Sequence, residues 1–262
     1  MANRQPKVGE RVTIPMPDGE DAQATILEVS EVETQGMKGY LVTYDIENYG
    51  VAQPYFYKLS ANWSGERTER SWMPYTKNLE AFDWSKYRAD IGPVKAIAEA
   101  FVSRYMEFRA DGRGLYIYSE TKGSGKTYLA CCLAKSVIDR YNAMVRFVTA
   151  ADYIDWVRDK DPRLEETREC GLLILDDIGV QSDKQEWVAE SIFRLVDNRY
   201  RKKLSTIYTS NLRFDKASGN DRTFSRIYSA SVPIKLPEEG IRDRIADTYR
   251  DEFLDHILAG VK

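Results

Sequence analysis

The sequence predicts an α/β protein in which a parallel sheet flanked by helices follows a small β-rich domain. Three observations carry this. From Gly114 onward, strand-like and helix-like runs alternate, the signature of a parallel sheet covered by helices. Leu172-Leu-Ile-Leu175 is apolar throughout, as a strand buried on both faces should be. Residues 8–60 instead carry short β-branched and aromatic runs separated by turn residues.

In chain order, Val12 and Ile14 alternate with polar neighbours, and strands are read at Ala24-Thr-Ile-Leu-Glu-Val, Tyr40-Leu-Val-Thr-Tyr-Asp-Ile and Tyr55-Phe-Tyr-Lys-Leu. Pro17-Asp-Gly and Glu47-Asn-Tyr-Gly supply turns between them. Four or five short strands in this span suggest a barrel of the SH3 or Tudor type, with an unclosed β arm as the alternative. Residues 1–60 form this domain, residues 61–90 a linker that packs partly on the next domain, and residues 91–262 the main domain. Ala89 to Arg109 reads as a helix interrupted early by Pro93, with Val94, Ile97, Ala98, Phe101, Val102 and Tyr105 at helical spacing. Beyond it come strand Leu115–Tyr118, helix Thr127–Tyr141, strand Val145–Val148, helix Ala150–Arg158, strand Leu172–Leu175, helix Trp187–Tyr200 and strand Ser205–Thr209.

Composition narrows the function. With 43% hydrophobic and 30% charged residues the chain is globular. No apolar run approaches the ~18–20 residues of a membrane helix, and the first residues show no apolar signal core, so a cytoplasmic protein is expected. The three cysteines, Cys131, Cys132 and Cys170, form no C-x-x-C pair, which argues against zinc or a disulfide framework. The single histidine, His256, lies in an amphipathic pattern and reads as a helix-surface residue. Residues 1–90 hold 10 basic and 14 acidic residues (net −4), and residues 91–262 hold 28 and 27 (net +1). Any nucleic-acid contact must therefore come from a local patch in the second part.

The sharpest motif is Gly123-Ser124-Gly125-Lys126-Thr127, set between a strand and an amphipathic helix. Glycines there let backbone N–H groups turn inward around phosphate oxygens, and the helix N-terminus adds partial positive charge. Lys126 is placed to reach the β- and γ-phosphates of ATP, and the Thr127 hydroxyl to bind Mg²⁺. One departure stands out: the phosphate-loop pattern G-x-x-x-x-G-K-[ST] asks for glycine at 120 and the chain has Glu120. The loop is expected to bulge by a residue, with Gly123 taking much of the turn.

The apolar strand at 172–175 runs into Asp176 and Asp177. Asp176 is the candidate Mg²⁺ ligand, and Asp177 the group that orients or deprotonates the attacking water. Ser205-Thr-Ile-Tyr-Thr-Ser-Asn211 is a further strand ending in polar groups; Asn211, which alone would read as a turn residue, is placed beside the γ-phosphate to help position the attacking water.

The order phosphate loop, Asp-Asp, Ser-Asn, then arginines resembles the AAA+ ATPases that load the bacterial replicative helicase, the DnaC/DnaI type, over roughly residues 75–250. It rests on Gly114-Leu-Tyr-Ile-Tyr before the G-S-G-K-T loop, Leu173-Ile-Leu-Asp-Asp-Ile-Gly-Val, Tyr208-Thr-Ser-Asn-Leu and Ser225-Arg-Ile. Some transposon helper ATPases share the Leu-Asp-Asp-Ile-Gly and Thr-Ser-Asn pieces. The resemblance implies an AAA+ P-loop ATPase domain, with Arg226 as an arginine finger reaching a neighbouring subunit's γ-phosphate and Arg242 as a sensor-2 arginine touching phosphate from its own lid. Arg222 and Arg244 are the nearest rivals. It also implies self-association, slow ATP hydrolysis by an isolated subunit, and a grip on single-stranded DNA, for which Arg199-Tyr-Arg-Lys-Lys203 and residues around Arg146 are candidates; a basic run at a helix end is more often solvated or paired with the helix dipole, so neither is assigned as a site. Gram-positive loaders of this type carry an N-terminal cysteine-rich zinc module, whereas this chain has no cysteine before 131. Residues 1–60 hold 9 acidic and 5 basic residues, a poor surface for phosphates, so a protein partner, the helicase, is expected there. A mobile-element origin fits such a replaced module. Other readings stay open: a transposition helper ATPase, a nucleotide-dependent adaptor with little turnover, and, least supported, a small-molecule kinase. Asp177, one methylene shorter than the glutamate common at that position in AAA+ ATPases, keeps the adaptor in play.

Overall fold

A computed structural model describes residues 7–15, 21–34, 37–47, 50–51, 55–58, 63–179, 186–214 and 222–244, with 246, 249–250, 253 and 257. The turn read at Pro17-Asp-Gly, part of that at 47–50, and His256 lie outside them. The chain divides into two compact units, Met1–Glu66 and Arg67–Lys262.

The first unit is an antiparallel sheet of β1 (Arg11–Pro15), β2 (Asp21–Thr34), β3 (Met37–Ile46), β4 (Gly50–Val51) and β5 (Tyr55–Lys58). β2 pairs β1 and β3; β4 and β5 pair the far side of β3. Among the described residues no ladder joins β1 to β4 or β5, so the strands form an open sheet there. Tyr40, Val42, Tyr44 and Ile46 alternate into its core, against Val12, Ala24 and Ile26. The register of β2 shifts between Ile26 and Glu28, leaving Leu27 exposed. That bulge reverses the parity of the strand and returns Val29 to the core face.

The second unit is a five-stranded sheet of β6 (Gly114–Tyr118), β7 (Val145–Thr149), β8 (Leu172–Asp176), β9 (Ser205–Ser210) and β10 (Ser231–Lys235). Its order is β10-β6-β9-β8-β7, every neighbour parallel. Helix α4 (Lys126–Tyr141) packs on β6, β8 and β9, along with α2 (Gly92–Ser103). Side chains of opposite parity, among them Tyr116, Leu173, Leu175 and Tyr208, join a core with α5 (Ala150–Asp159), α7 (Glu186–Arg201) and α8 (Arg222–Ala230). Gly114 is fixed by packing: a Cβ there would lie 1.8 Å from the Thr206 carbonyl oxygen.

Several boundaries differ from the sequence reading. The helix read over Ala89–Arg109 is two, α2 and α3 (Tyr105–Ala110), broken at Arg104 (φ −114, ψ 26). Pro93 lies in the first turn of α2, where its missing N–H costs nothing, so it starts the helix instead of interrupting it. α6 (Arg163–Glu169), α8 and β10 were not read from the pattern. Helix α1 (Trp63–Glu69) opens the segment read as linker. From Arg67 on, that segment lies against the second unit: the Ser71 carbonyl accepts Phe147 N–H beside β7 (2.8 Å), Leu79 N–H donates to Ser136 Oγ (2.8 Å), and Phe82 and Tyr87 are buried.

Candidate nucleotide-binding site

The carboxyl ends of β6, β8 and β9 converge on one place because the strands are parallel and adjacent. β6 delivers the loop 119–125 and then α4. Gly123 (φ 72) and Gly125 (φ 94) take backbone conformations that L side chains rarely adopt. Gly125 is also pinned from outside, since a Cβ there would stand 2.8 Å from the Tyr87 hydroxyl, which donates to the Ser124 carbonyl at 2.6 Å. Phe82, Trp84, Tyr87, Tyr128 and Tyr75 form a chain of stacked and edge-on rings beside the loop.

Lys126 folds back over the loop. Its Nζ donates to the Ser119 carbonyl (3.2 Å), the Thr121 carbonyl (3.0 Å) and Ser124 Oγ (3.2 Å). Burial pulls its pKa down, opposed by Asp177, Glu238 and Asp176 and aided by Arg242. The ammonium thus sits among acids, held by neutral carbonyls that a phosphate oxygen would outcompete.

Thr127 Oγ1 donates to both oxygens of Asp176, at 2.9 and 3.1 Å. Asp176 closes β8, is 5% exposed, and also accepts the Thr209 hydroxyl at 2.5 Å. Burial raises its pKa above the usual carboxylate range, against the two hydroxyl donors. Thr209 in turn accepts the Asp177 N–H at 2.9 Å. Asp177 is exposed at φ 55, a left-handed turn that Asp tolerates better than most residues. Asn211 follows Ser210, which pairs with Tyr118 and accepts Ser119 N–H at 3.4 Å, so it stands beside the loop's entry. Gly123, Ser124, Gly125, Lys126, Thr127, Asp176, Asp177 and Asn211 are therefore brought to one end of the sheet.

Arg242 joins them from the chain after β10. The amides of Ile241 and Arg242 both donate to the Gly123 carbonyl, at 3.0 and 3.1 Å. Arg244 is engaged elsewhere, donating to the Lys86 carbonyl (2.6 Å) and Glu239 (3.3 Å). Glu239 also accepts the Arg88 and Ala89 amides.

Arg226 is not at this site. It lies on α8 and lines one small cavity with Gly112, Leu204 and Thr206, near the amino ends of β6 and β9. Its Nε donates to Asp197 at 2.5 Å and its guanidinium stands 4.9 Å over Phe193. Arg222 stacks on the same ring at 3.9 Å and pairs with Glu190.

In the basic run 199–203 and around Arg146, two arginines are withdrawn from the surface. Arg199 is 1% exposed, and donates to Thr206 Oγ1, the Thr167, Cys170 and Ser205 carbonyls, and Cys170 Sγ. Arg146 is buried against Glu166 and the Trp72 ring. Both cations are spent inside the fold, whereas Arg201, Lys202 and Lys203 are exposed. Three residues at the site escaped the sequence reading: Thr209, Tyr87 and Glu238. Only Thr209 left a signal, as part of the polar end of the strand Ser205-Thr-Ile-Tyr-Thr-Ser.

Among the described residues no group of three or more His, Cys, Asp and Glu is placed to hold a metal ion, and no helix is long and apolar enough to cross a membrane. The three cysteines are free and buried.

Comparison with known proteins adds a family and a fold. A family model described as IstB-like ATP binding protein matches residues 64–223. The replicative helicase loader DnaI of Bacillus subtilis (strain 168) is 28% identical over 167 residues, covering 54% of this chain and 51% of DnaI. The chain thus spans about half the length of that relative. The solved DnaC helicase loader is similar at TM-score 0.53 and 22% identity, over 62% of this chain and 98% of DnaC. DnaI superposes at TM-score 0.51 and 24% identity, over 62% of this chain and 91% of that one. A primosome component from Streptococcus pyogenes serotype M3 gives 0.53 and 22%, over 68% and 97%. At such identities the likeness shows the fold, which is that of the AAA+ P-loop ATPases.

Proposed function

The chain belongs to the IstB-like ATP-binding protein family, and we propose that it is an ATPase that loads a bacterial replicative helicase onto single-stranded DNA. The observation that carries the chemistry is the convergence of Lys126, Thr127 and Asp176 at the mouth of a glycine-turned loop. The loader reading rests on the likeness to DnaI and DnaC together with the motif order.

The residues divide the work. Loop amides and the α4 N-terminus receive the phosphates. Lys126 exchanges its carbonyl partners for β- and γ-phosphate oxygens. Thr127 and Asp176 would hold Mg²⁺: one hydroxyl and one carboxylate are hard oxygen donors, and Mg²⁺ takes its other ligands from phosphate and water. The metal would there supply charge neutralisation to the phosphates. Asp177 orients the attacking water and takes its proton as the bond to ADP breaks. Asn211 helps place that water, and Arg242 touches phosphate from the lid. Arg226, remote from its own loop, serves the nucleotide of a neighbouring subunit, so that hydrolysis is slow until subunits assemble.

The test is helicase delivery to closed circular single-stranded DNA, where the helicase ring must be opened. Delivery that depends on this protein and ATP, and fails with Lys126→Ala, is expected. Equal delivery by Lys126→Ala would show a passive adaptor. A second reading, a helper ATPase acting on a transposase, uses the same motifs, and the matching family model is named for IstB and not for a loader. ATP-dependent binding of a transposase, without helicase delivery, would favour it.

A further inference from the structure

Residue 120 is where the phosphate-loop pattern asks for glycine, and this chain has Glu120 there. The residues on either side of it are held from outside the loop by one carboxylate. Glu238 Oε2 accepts the Ser119 hydroxyl (2.8 Å) and the Thr121 amide (2.8 Å). The Thr121 amide is also within reach of Ser119 Oγ, at 3.2 Å. A hydroxyl and a backbone amide from the two flanking residues thus converge on one carboxylate oxygen. The same two residues hold Lys126 on the inner side, through the Ser119 and Thr121 carbonyls. Glu238 outside and Lys126 inside thus grip opposite polar edges of one short turn.

Glu238 reaches this turn because β10 runs parallel to β6, with Lys235 opposite Tyr118. The chain after β10 stays zipped to the loop: Leu236 N–H donates to the Tyr118 carbonyl (2.9 Å), and the Ile241 and Arg242 amides donate to the Gly123 carbonyl. Between these ties the Ser119 hydroxyl also lies 3.4 Å from the Pro237 carbonyl, and Glu238 adds a carboxylate that reaches both sides of residue 120.

We infer that Glu238 is a positioning residue for nucleotide binding, bracing the turn at 119–121 so that Lys126 is presented to the phosphates. This rests on the ATP-binding reading of the loop. The brace has a cost. Glu238 carries negative charge beside the seat of the phosphates, so its acceptor oxygen favours binding while its charge opposes it. Substitution separates the two effects. Glu238→Gln keeps an oxygen that can accept from Ser119 and Thr121 but removes the charge. Glu238→Ala removes both.

The experiment is equilibrium binding of a fluorescent ADP analogue and of ATP to the full chain, with thermal unfolding and steady-state hydrolysis run in parallel. Glu238→Ala is expected to weaken nucleotide binding about tenfold, raising KM while kcat stays within about twofold, with unfolding little changed. Glu238→Gln is expected to bind as tightly as the unsubstituted protein or more so. Unchanged nucleotide affinity in Glu238→Ala would overturn the inference, as would equal weakening by Gln and Ala. If the unsubstituted protein bound no nucleotide, the ATP-binding reading itself would fall, an outcome the variants cannot mimic.

Discussion

Arg226 offers the most demanding prediction because its present partners are visible and its proposed work lies on another subunit. Its guanidinium donates to Asp197 at 2.5 Å and to the Arg222 carbonyl at 3.1 Å, over the Phe193 ring. The arginine side chain is 32% exposed and that of Asp197 17%, so the pair is partly screened. Charge-assisted hydrogen bonds are worth about 1.5–3 kcal/mol and exposed pairs about 0–1. With a cation–π contribution of about 0.5–1 kcal/mol, withdrawing Arg226 costs roughly 2 kcal/mol. An arginine finger supplies about 10³–10⁵ in rate, or about 4–7 kcal/mol at ~1.4 kcal/mol per decade. The exchange is therefore favourable once a neighbour's γ-phosphate is within reach. Three results are expected in an ATPase assay run against subunit concentration. Arg226→Ala should lose at least about a hundredfold of the assembled rate while binding nucleotide normally. Asp197→Asn, which loosens the hold, should raise the rate a few-fold at low subunit concentration. Mixing Arg226→Ala with Lys126→Ala should restore activity, since each subunit lacks a different half of the shared site. Full activity in Arg226→Ala, or mixtures no better than the two variants alone, would refute the reasoning.

Asp176→Asn should abolish Mg²⁺-dependent nucleotide binding, read by calorimetry with and without the metal, yet raise the melting temperature of the nucleotide-free protein near pH 7. The sign comes from burial. Asp176 has a raised pKa in the fold, so what it contributes to stability is present below its unfolded pKa and lost as pH rises through the folded one. The carboxylate needed for the metal is lost in the opposite direction, so Mg-nucleotide affinity should fall on acidification, with a midpoint above the ~3.9 of an ordinary Asp. Gly125→Ala should destabilise the loop by about 1–2 kcal/mol from its left-handed backbone alone, plus the clash with Tyr87. Tyr87→Phe in that background should recover part of the loss in a melting experiment, because it removes the atom 2.8 Å from the new Cβ. Removal of residues 1–60 should abolish capture of the helicase in a pull-down while leaving nucleotide binding intact; undiminished capture would reassign the contact to the ATPase unit.

What was legible in the sequence was what chain-local pattern can encode. Leu172–Leu175 announced a buried strand because both its faces are apolar, and the Gly-Ser-Gly-Lys-Thr run announced a phosphate loop because its glycines stand where the backbone turns through positive φ. β10 was missed because it is an edge strand with mixed burial. Pro233 is tolerated there since, among the described residues, only one of its sides pairs, and Lys235 is exposed. α6, Arg-Leu-Glu-Glu-Thr-Arg-Glu, is too polar and short to show a stripe. At the site, Glu238 gave no signal because its bonds reach across 117–119 residues. Arg199 misled for the converse reason: a basic run reads as solvated, and only the packed chain reveals a ring of carbonyls deep enough to take the first of its cations.

The most direct measurement is ATP hydrolysis by the purified protein, alone and with single-stranded DNA plus the host's replicative helicase, beside Lys126→Ala. Slow turnover that the two partners together stimulate, and that Lys126→Ala lacks under every condition, is the predicted result. Hydrolysis that survives Lys126→Ala would contradict the site, and turnover indifferent to both DNA and helicase would contradict the loader.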